Sequence, residues 1–382
     1  MSARRRRRRK PPAATRAELD MVTIEQIENV ALGVHRTIKG FDAPRLTFPV
    51  RSLSNVSYDK EVGYFEIEDS VSERKLTVNT AKSFAQTLLL MQFARSQVRQ
   101  DERSTKREAY YVSKNWAEAK FNEQTESDTV LDDIEAMFAR HGVTREQLRF
   151  IAEQHGGLLA GNLLVSETNP ETGEDIVTDC RQQGSFNVTI PTDVEGLRFD
   201  TDAKFILCIE TGGTFDRLHR AKFWQKTNCI LVGMVGVPSR ACRRFVRLLS
   251  DFADIPVYCF TDCDPYGFAN IYRTLKVGSG NAAHINQFFC VPRARFLGVT
   301  PQDIVDYKLP THALLDRDVK RAKDALKNDP FFKAHPPWKK AIDQLVKAKH
   351  RAEQQAFAAH GLKFVHEVFL PEKLSNPRSF LP

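Results

Sequence analysis

Two adjacent tyrosines stand between basic residues in the segment STKREAYYVSKNW. On a helix, Arg107 falls one turn before Tyr111 and Lys114 one turn after it, while Tyr110 faces Lys106 and Lys114. An unperturbed phenol ionises near pH 10, so a tyrosine nucleophile needs positive charge or a general base nearby. The pattern therefore predicts a nucleophilic tyrosine beside cations, and packing of either ring in a core is the alternative.

Three acidic residues follow predicted strands in the second half of the chain. Glu210 ends one strand in CIETGG, and Asp262 and Asp264 follow another in FTDCDPYG. Functional groups gather at the carboxyl ends of strands in open parallel sheets, and residues two apart in an extended segment share one side. Such a cluster suits Mg²⁺, because close carboxylates repel one another without a cation. The alternative is that Asp264 only begins a turn and Glu210 caps a helix.

An arginine stripe lies on a predicted amphipathic helix between these two acidic segments. Its members follow i, i+3, i+4, i+7 spacing opposite an apolar face, and they are Arg240, Arg243, Arg244 and Arg247. Arginines with no acid between them repel one another, so the stripe predicts binding of phosphate. An ordinary solvated face is the alternative.

The elements that must carry the acids form an alternating pattern from Lys204 onward. Short apolar runs alternate with amphipathic helices, which predicts a parallel sheet built from β-α-β units. The strands are predicted at 205–210, 230–235 and 257–261, and the helices at 215–226, 239–252 and 267–276.

The elements around the tyrosines are predicted to be helices. Capping-box spacing at Thr23 and Thr105 opens two of them, and Thr144 with Gln147 opens another. Further helices are predicted at about 80–100 and 128–140. With LLAGNLLVSE as candidate wing strands, this layout is typical of a winged-helix module.

Charge is concentrated at the start of the chain. Lys and Arg number 56 against 48 Asp and Glu, but seven of the basic residues form the run RRRRRRK at positions 4–10. Like charges without apolar residues predict a disordered tail.

Seven cysteines include no C-x-x-C pair and fall mostly in apolar runs, which favours a reducing compartment. The longest apolar stretch is about half the length that crosses a bilayer, and no signal-peptide pattern is present. We therefore expect a soluble, intracellular protein that does not contact a membrane.

Several motifs at their spacing resemble the A subunit of topoisomerase VI and the related transesterases that make meiotic double-strand breaks. The motifs are TKREAYY, IETGG and TDCDPYGFANIYRTLKVGS, and the resemblance runs from about residue 75 onward. It implies a multi-domain α/β fold in which a winged-helix domain of the catabolite-activator type precedes a TOPRIM domain with a parallel sheet flanked by helices. The expected division is a disordered tail at 1–20, an extension at 21–75, the winged-helix domain at 76–165, a connector at 166–203, and the TOPRIM domain with a C-terminal helical elaboration at 204–382.

The same resemblance implies roles for individual residues. Tyr111 maps onto the nucleophile and Arg107 onto an assisting arginine, and the Mg²⁺ ligands map onto Glu210, Asp262 and Asp264. The residues expected to bind DNA are Lys106, Lys114, Arg240, Arg243, Arg244 and Arg247. Relatives often carry Lys or Gln in the turn before Gly236, where this chain has Met234 and Val235.

The implied activity is Mg²⁺-dependent cleavage of double-stranded DNA by a homodimer, leaving 5′-phosphotyrosyl links, with each tyrosine using the acids of the partner. The chain contains no Gly-Lys dipeptide and so no P-loop. We expect ATP on a separate B-type ATPase subunit of an A₂B₂ heterotetramer, and a cytoplasmic, nucleoid-associated location, or a nuclear one in a eukaryote. The alternatives are a break-forming recombination protein of the same fold, a non-catalytic winged-helix DNA-binding protein, and a TOPRIM nuclease that uses water.

Overall fold

The computed structural model describes residues 15–152, 155–169, 171–182 and 187–382. Its first element is helix α1 (Arg16–Lys39), which begins with a capping box between Thr15 and Glu18. We predicted this box at Thr23, which is instead buried inside the helix. The predicted start was wrong because the segments at Thr15 and Thr23 both have capping-box spacing, and only the one at Thr15 lies at the start of the helix. Residues 16–20 of the predicted disordered tail are therefore helical, and residues 1–14 lie outside the described residues.

The N-terminal extension contains two antiparallel strand pairs. They are β1 (Arg45–Pro49) with β4 (Val71–Lys75), and β2 (Val56–Tyr58) with β3 (Phe65–Ile67). The second pair is bonded to the C-terminal half of the chain. Asn286 donates to Phe65 O at 2.9 Å, and the Tyr58 hydroxyl bonds His335 Nε2 at 3.0 Å. The extension therefore braces the second half of the chain.

A helical unit carries the tyrosine pair. Its helices are α2 (Ala81–Gln100), α3 (Lys106–Val112) and α4 (Gln124–Ala139), and both α2 and α3 pack on α4. The predicted capping box at Thr105 closes the start of α3. The core between the helices is apolar, with Ile134 fully buried.

The helix predicted after Thr144 is only a turn, in which Thr144 N donates to Gln147 Oε1 at 2.9 Å. The prediction was wrong because the chain leaves this turn into an extended pair. That pair is β5 (Ser104–Thr105), parallel to β6 (Phe150–Ile151), which closes the helical unit.

Five strands follow the helical unit. They are β7 (Gly157–Gly161), β8 (Leu164–Thr168), β9 (Asp175–Asp179), β10 (Val188–Ile190) and β11 (Arg198–Asp200). The stretch LLAGNLLVSE forms β7 and β8, but they do not pair as a wing. β7 joins the main sheet, while β8 lies between β9 and β11 in a separate sheet. The expected connector is thus largely strand.

The centre of the main sheet consists of four parallel strands. They are β12 (Phe205–Ile209), β13 (Cys229–Gly233), β14 (Val257–Phe260) and β15 (Ala294–Gly298). The strand order is β10-β7-β13-β12-β14-β15, with β10 and β7 antiparallel at one edge. β12, β13 and β14 are buried throughout, as their continuous apolar sequences require. The predicted α/β class and parallel sheet are confirmed.

Helices flank the main sheet. They are α5 (Gly212–Arg220), α6 (Phe223–Thr227), α7 (Arg240–Ala253), α8 (Arg273–Lys276) and α9 (Ala283–Phe289). The single helix predicted at 215–226 is two helices, because Lys222 adopts a positive φ between them. The approach of β7 to β13 requires glycine: Gly161 has φ +125°, and a Cβ there would lie 2.6 Å from Cys229 O.

The C-terminal elaboration is helical, as expected. Its elements are α10 (Pro301–Asp306), β16 (His312–Ala313), α11 (Asp316–Asn328), α12 (Pro330–Ala334), α13 (Pro336–Ala348), β17 (His350–Arg351) and α14 (Leu370–Ser375). Trp338 anchors α13, with its ring 5.0 Å from that of Phe296 on β15. Within the described residues, no helix is both long and apolar enough to span a bilayer.

A buried ion cluster joins the helical unit to the main sheet. Arg240, the first residue of α7, donates to Glu146 Oε1 at 2.7 Å and also bonds both carboxylate oxygens of Glu135 on α4. Burial is the largest single influence and would raise the pKa of Glu135, but Arg240, His284 and Arg145 together outweigh burial and lower it. The cluster fixes α4 relative to α7, and α3 moves with α4.

We expect Arg240→Met to destabilise the chain strongly, because it removes the closest cation from two buried carboxylates. The expected loss of unfolding free energy is about 3–5 kcal/mol, measured by urea denaturation at neutral pH. The matched control is Arg220→Met, which removes an exposed pair with Asp216 on α5. That change should cost less than about 1 kcal/mol. Equal stability of the two variants would mean that the cluster does not hold the units together.

Candidate active site

Glu210, Asp262 and Asp264 meet at the carboxyl edge of the main sheet. Glu210 directly follows β12, and the two aspartates follow its parallel neighbour β14, with Ile209 in register with Phe260. The two loops touch, because Asp262 N donates to Glu210 Oε2 at 2.9 Å. The register of two buried strands thus brings together carboxylates that are about 50 residues apart in the chain.

Main-chain N–H groups orient each of these carboxylates. Asp262 N holds Glu210, as described above. Gln354 N donates to Asp262 Oδ1 at 2.8 Å, and Gly267 N donates to Asp264 Oδ1 at 2.6 Å. The bond to Gly267 is the turn considered as the alternative, so Asp264 begins a turn and also lies at the acidic edge.

A segment that the sequence analysis missed, residues 351–354, closes the same edge. Its backbone pairs with the loop after β14. The Gln354 side chain donates to Phe260 O at 2.9 Å and accepts from the Thr211 hydroxyl at 2.9 Å. Thr211 occupies the N-cap position of α5, so Glu210 does not cap this helix. No local pattern reveals Gln354, because its partner Asp262 lies 92 residues earlier.

Arg351 places a cation beside the acidic edge. Its Nη1 lies 3.7 Å from Asp264 Oδ2 and 3.8 Å from Asp318 Oδ2. Asp318 is buried in the first turn of α11. Arg351 therefore links the acidic edge to the start of this helix.

The acidic edge resists ionisation. Burial, followed by the neighbouring Asp262 carboxylate, raises the pKa of Glu210 to about 8. Burial likewise raises the pKa of Asp262 to about 6, and it raises the pKa of Asp264. A bound cation would favour the ionised forms of all three groups.

The donor set fits Mg²⁺. No group of three His, Cys, Asp or Glu side chains in the described chain forms a ready-made metal cage. Mg²⁺ does not need one, because it retains several waters and binds through one or two carboxylates together with phosphate oxygens. Glu210 and Asp262 each commit one oxygen to a main-chain N–H, and the other oxygen accepts no hydrogen bond from the described residues. Those two oxygens can face a cation.

The tyrosine pair consists of one held ring and one exposed ring. The Tyr110 hydroxyl donates to Asn122 O at 3.1 Å, and Lys114 Nζ lies 4.0 Å from the Tyr110 ring centre. Tyr111 is 56% exposed, and its ring centre lies 5.4 Å from that of Tyr110, with the two rings tilted. The core-packing alternative therefore does not hold for Tyr111, whose hydroxyl makes no hydrogen bond within the described chain.

The cations around the pair differ in availability. Arg107 is exposed on α3, one turn before Tyr111. Lys106 Nζ lies 3.3 Å from Asp128 Oδ2, and Lys114 Nζ donates to Phe121 O at 2.6 Å. Contacts of these two lysines with DNA would compete with bonds inside the chain.

The arginine stripe of α7 finds its partners within the chain. Arg240 belongs to the ion cluster, and Arg244 Nε lies 2.6 Å from Glu195 Oε1. Arg247 donates to a main-chain carbonyl at 2.7 Å, and Arg243 is buried. Three of the four arginines, Arg240, Arg244 and Arg247, thus already bond acceptors of the same chain. Contacts of this stripe with DNA would compete with those bonds, and binding of DNA phosphate by the stripe stays a prediction.

Three family models match the chain. A model described as the Toprim domain of topoisomerase 6 A subunit/Spo11 covers residues 205–374. A type IIB DNA topoisomerase model covers residues 82–149, and a model for the all-beta domain in the alpha chain of DNA topoisomerase VI covers residues 153–203.

Curated relatives match along nearly the whole chain. A protein of Methanocaldococcus jannaschii is 49% identical over 358 residues, which is 94% of this chain and 96% of the relative. Proteins of Halobacterium salinarum and Haloarcula marismortui are 38% and 36% identical, over 88% and 92% of this chain and 91% and 95% of the relatives. All three carry the name of the A subunit of type 2 DNA topoisomerase 6.

We expect Glu210→Gln to stabilise the metal-free chain at pH 8. The folded-state pKa of Glu210 is about 8 against an ordinary value of 4.5, so the folded state binds the extra proton between these values. Binding of this proton stabilises the folded state fully below about pH 4.5, and that stabilisation is lost as the pH rises through 8. A glutamine at this position does not titrate. In EDTA, the variant should exceed the wild type by on the order of 1–3 kcal/mol at pH 8 and by little at pH 5.

Urea denaturation at the two pH values measures this difference. The control is Glu118→Gln, which changes an exposed carboxylate distant in sequence from the acidic edge. Identical pH profiles for the wild type and Glu210→Gln would contradict the raised pKa of Glu210.

Proposed function

Because this chain belongs to the family of the topoisomerase 6 A subunit and Spo11, we propose that Tyr111 and the acidic edge of the main sheet form its DNA-cleaving site. The chain is the DNA-cleaving A subunit of a type IIB DNA topoisomerase. One observation carries the proposed site. The chain has an exposed tyrosine, Tyr111, and two oriented carboxylates, Glu210 and Asp262, each with one oxygen that accepts no hydrogen bond from the described residues. We assign the winged-helix role to residues 76–165 and the TOPRIM role to residues 204–382.

Tyr111 acts as the nucleophile. Its phenol oxygen forms a bond to a backbone phosphorus, and the bond from that phosphorus to the 3′ oxygen breaks. The phenol proton is lost, and the departing oxygen takes up a proton to become a 3′-hydroxyl. A 5′-phosphotyrosyl link remains, which conserves the phosphodiester for resealing. Arg107, one turn away on α3, is positioned to neutralise the phosphate.

The acidic edge would hold the metal. Glu210 and Asp262 would supply their unbonded oxygens to Mg²⁺, and Asp264 lies close to Asp262 in sequence and in the same loop. Bound Mg²⁺ supplies positive charge at the scissile phosphate and at the departing oxygen. The main-chain bonds to the three carboxylates keep these oxygens in place before DNA arrives.

Two protomers complete the site. Tyr111 lies on α3, which packs on α4, and the ion cluster around Arg240 ties α4 to the main sheet. This buried cluster resists any movement of Tyr111 relative to the acids of its own chain. In a homodimer, each tyrosine can instead use the acids of the partner.

ATP belongs to another subunit. This chain has no Gly-Lys dipeptide, which a P-loop requires. We assign ATP to a B-type ATPase subunit in an A₂B₂ heterotetramer that passes one duplex through the break in another. Such a complex works where the DNA is, in the nucleoid or in a nucleus.

We expect Tyr111→Phe to abolish cleavage while Tyr110→Phe preserves it. Removal of the Tyr111 hydroxyl removes the atom that bonds to phosphorus. Removal of the Tyr110 hydroxyl only breaks its bond to Asn122 O, which costs about 0.5–1.5 kcal/mol of stability. The assay measures covalent protein–DNA adducts after denaturant quenching, with the partner ATPase, ATP, Mg²⁺ and supercoiled plasmid.

The outcomes separate the competing functions. An adduct formed by Tyr111→Phe would contradict the nucleophile. Free 5′-phosphate ends without adduct would indicate a nuclease, and absence of any cleavage by the wild type would indicate a DNA-binding protein. Cleavage without relaxation would favour a break-forming recombination protein.

Mixing two inactive variants should restore one of the two sites in each heterodimer if the site is shared between protomers. In a heterodimer of Tyr111→Phe with Glu210→Ala, the intact tyrosine of one protomer faces the intact acids of the other. The second site lacks both groups. We therefore expect single-strand nicks from the mixture and no cleavage from either homodimer. An inactive mixture, with exchange of protomers verified by differently tagged chains, would show that each tyrosine uses the acids of its own chain.

A further inference from the structure

Three lysines form a line along the exposed side of α11. Lys320, Lys323 and Lys327 follow i, i+3, i+7 spacing and are all exposed. Ala322 and Ala325 bury the opposite side of the helix. At a rise of about 1.5 Å per residue, the line is roughly 10 Å long.

The lysine line is not neutralised within the described chain. Asp316 and Asp324 share the exposed side of α11, but neither forms an ion pair with a lysine, and Asp324 bonds Asn328 instead. The three ammonium groups form no hydrogen bond or ion pair with any residue that the structure describes. Unpaired like charges in a row attract an extended anion.

The lysine line begins beside the acidic edge. Asp318, in the first turn of α11, shares Arg351 with Asp264, at 3.8 Å and 3.7 Å from the same guanidinium nitrogen. One turn later, the Arg321 guanidinium lies 5.1 Å from the ring centre of Tyr266, which follows Asp264 by two residues. α11 is therefore attached at its start to the proposed cleavage site, and the lysines lead away from it.

We propose that the lysine line of α11 binds the phosphate backbone of the duplex arm that flanks the cleaved phosphate. The inference rests on the proposed function, because that function places a duplex at the acidic edge. Phosphates of one strand repeat about every 3.4 Å along the helix axis, so a line of roughly 10 Å spans about three of them. Lysine contacts to phosphate carry no sequence information, so this surface positions DNA without selecting its sequence.

The first test is the binding of full-length protein to a duplex of 40 base pairs, measured by fluorescence anisotropy with Mg²⁺. The variant is K320Q/K323Q/K327Q. At 0.15 M salt its affinity should fall on the order of 10- to 100-fold, and the slope of log affinity against log salt should become shallower by roughly 3. The matched control K39Q/K75Q/K226Q removes the same charge from lysines that are also exposed, and it should bind like the wild type.

The second test locates the contact. All seven native cysteines are free and buried, so Lys323→Cys offers one exposed thiol for a photoactivatable crosslinker. On a duplex with a single defined cleavage position, we expect crosslinks on both sides of that position, to one strand in each arm and within about ten base pairs. A second, differently labelled duplex in the same reaction should acquire none.

The outcomes distinguish this inference from the proposed function. The proposal for the lysine line is overturned if the triple variant binds DNA with wild-type affinity, or if the control loses as much affinity as the triple variant. Crosslinks only to the second duplex overturn its assignment to the flanking arm. Unchanged DNA binding with loss of the co-purified ATPase makes the surface a protein contact and also overturns the proposal. A wild-type protein that binds no duplex refutes the proposed function itself.

Discussion

The parallel register of β12 and β14 forces Glu210 and Asp262 together, and the rest of the site depends on that constraint. Side chains that repel one another can usually rotate apart. Here main-chain N–H groups hold one oxygen of each carboxylate, including the one donated by Gln354. The repulsion is therefore retained, which is why burial and charge raise the pKa of Glu210 to about 8. A rigid acidic edge is unfavourable alone and favourable around a cation.

A second constraint is the buried ion cluster around Arg240, which joins the main sheet to the helical unit that carries the tyrosine. Arg240 is the first residue of α7, and its two carboxylate partners lie on α4 and in the turn that follows it. Breaking a buried pair of this kind leaves an uncompensated charge, so separating α4 from α7 is costly. The relation of Tyr111 to its own acidic edge is then set by the monomer fold.

The sequence predicted the parts of this design that depend on local patterns. The apolar runs identified the main strands, and strand ends identified Glu210 and Asp262. Gln354 was missed because a polar residue in an irregular segment has no period, and its partners come from the fold. The partners of the arginine stripe come from the fold as well: i, i+3, i+4, i+7 spacing shows that Arg240 and its neighbours need anions, but it does not distinguish phosphate from a carboxylate such as Glu135.

The chain carries almost no net charge outside its basic N-terminal run. Outside the basic run at positions 4–10, 49 basic residues oppose 48 acidic ones, so net charge hardly attracts a duplex to the body of the chain. The acidic edge repels phosphate until a cation is bound. Attraction must then come from local fields, which act within about a Debye length of 8 Å at physiological salt. The unpaired lysines of α11 lie on a helix that starts at this edge, and their positive charge has the sign that offsets this repulsion.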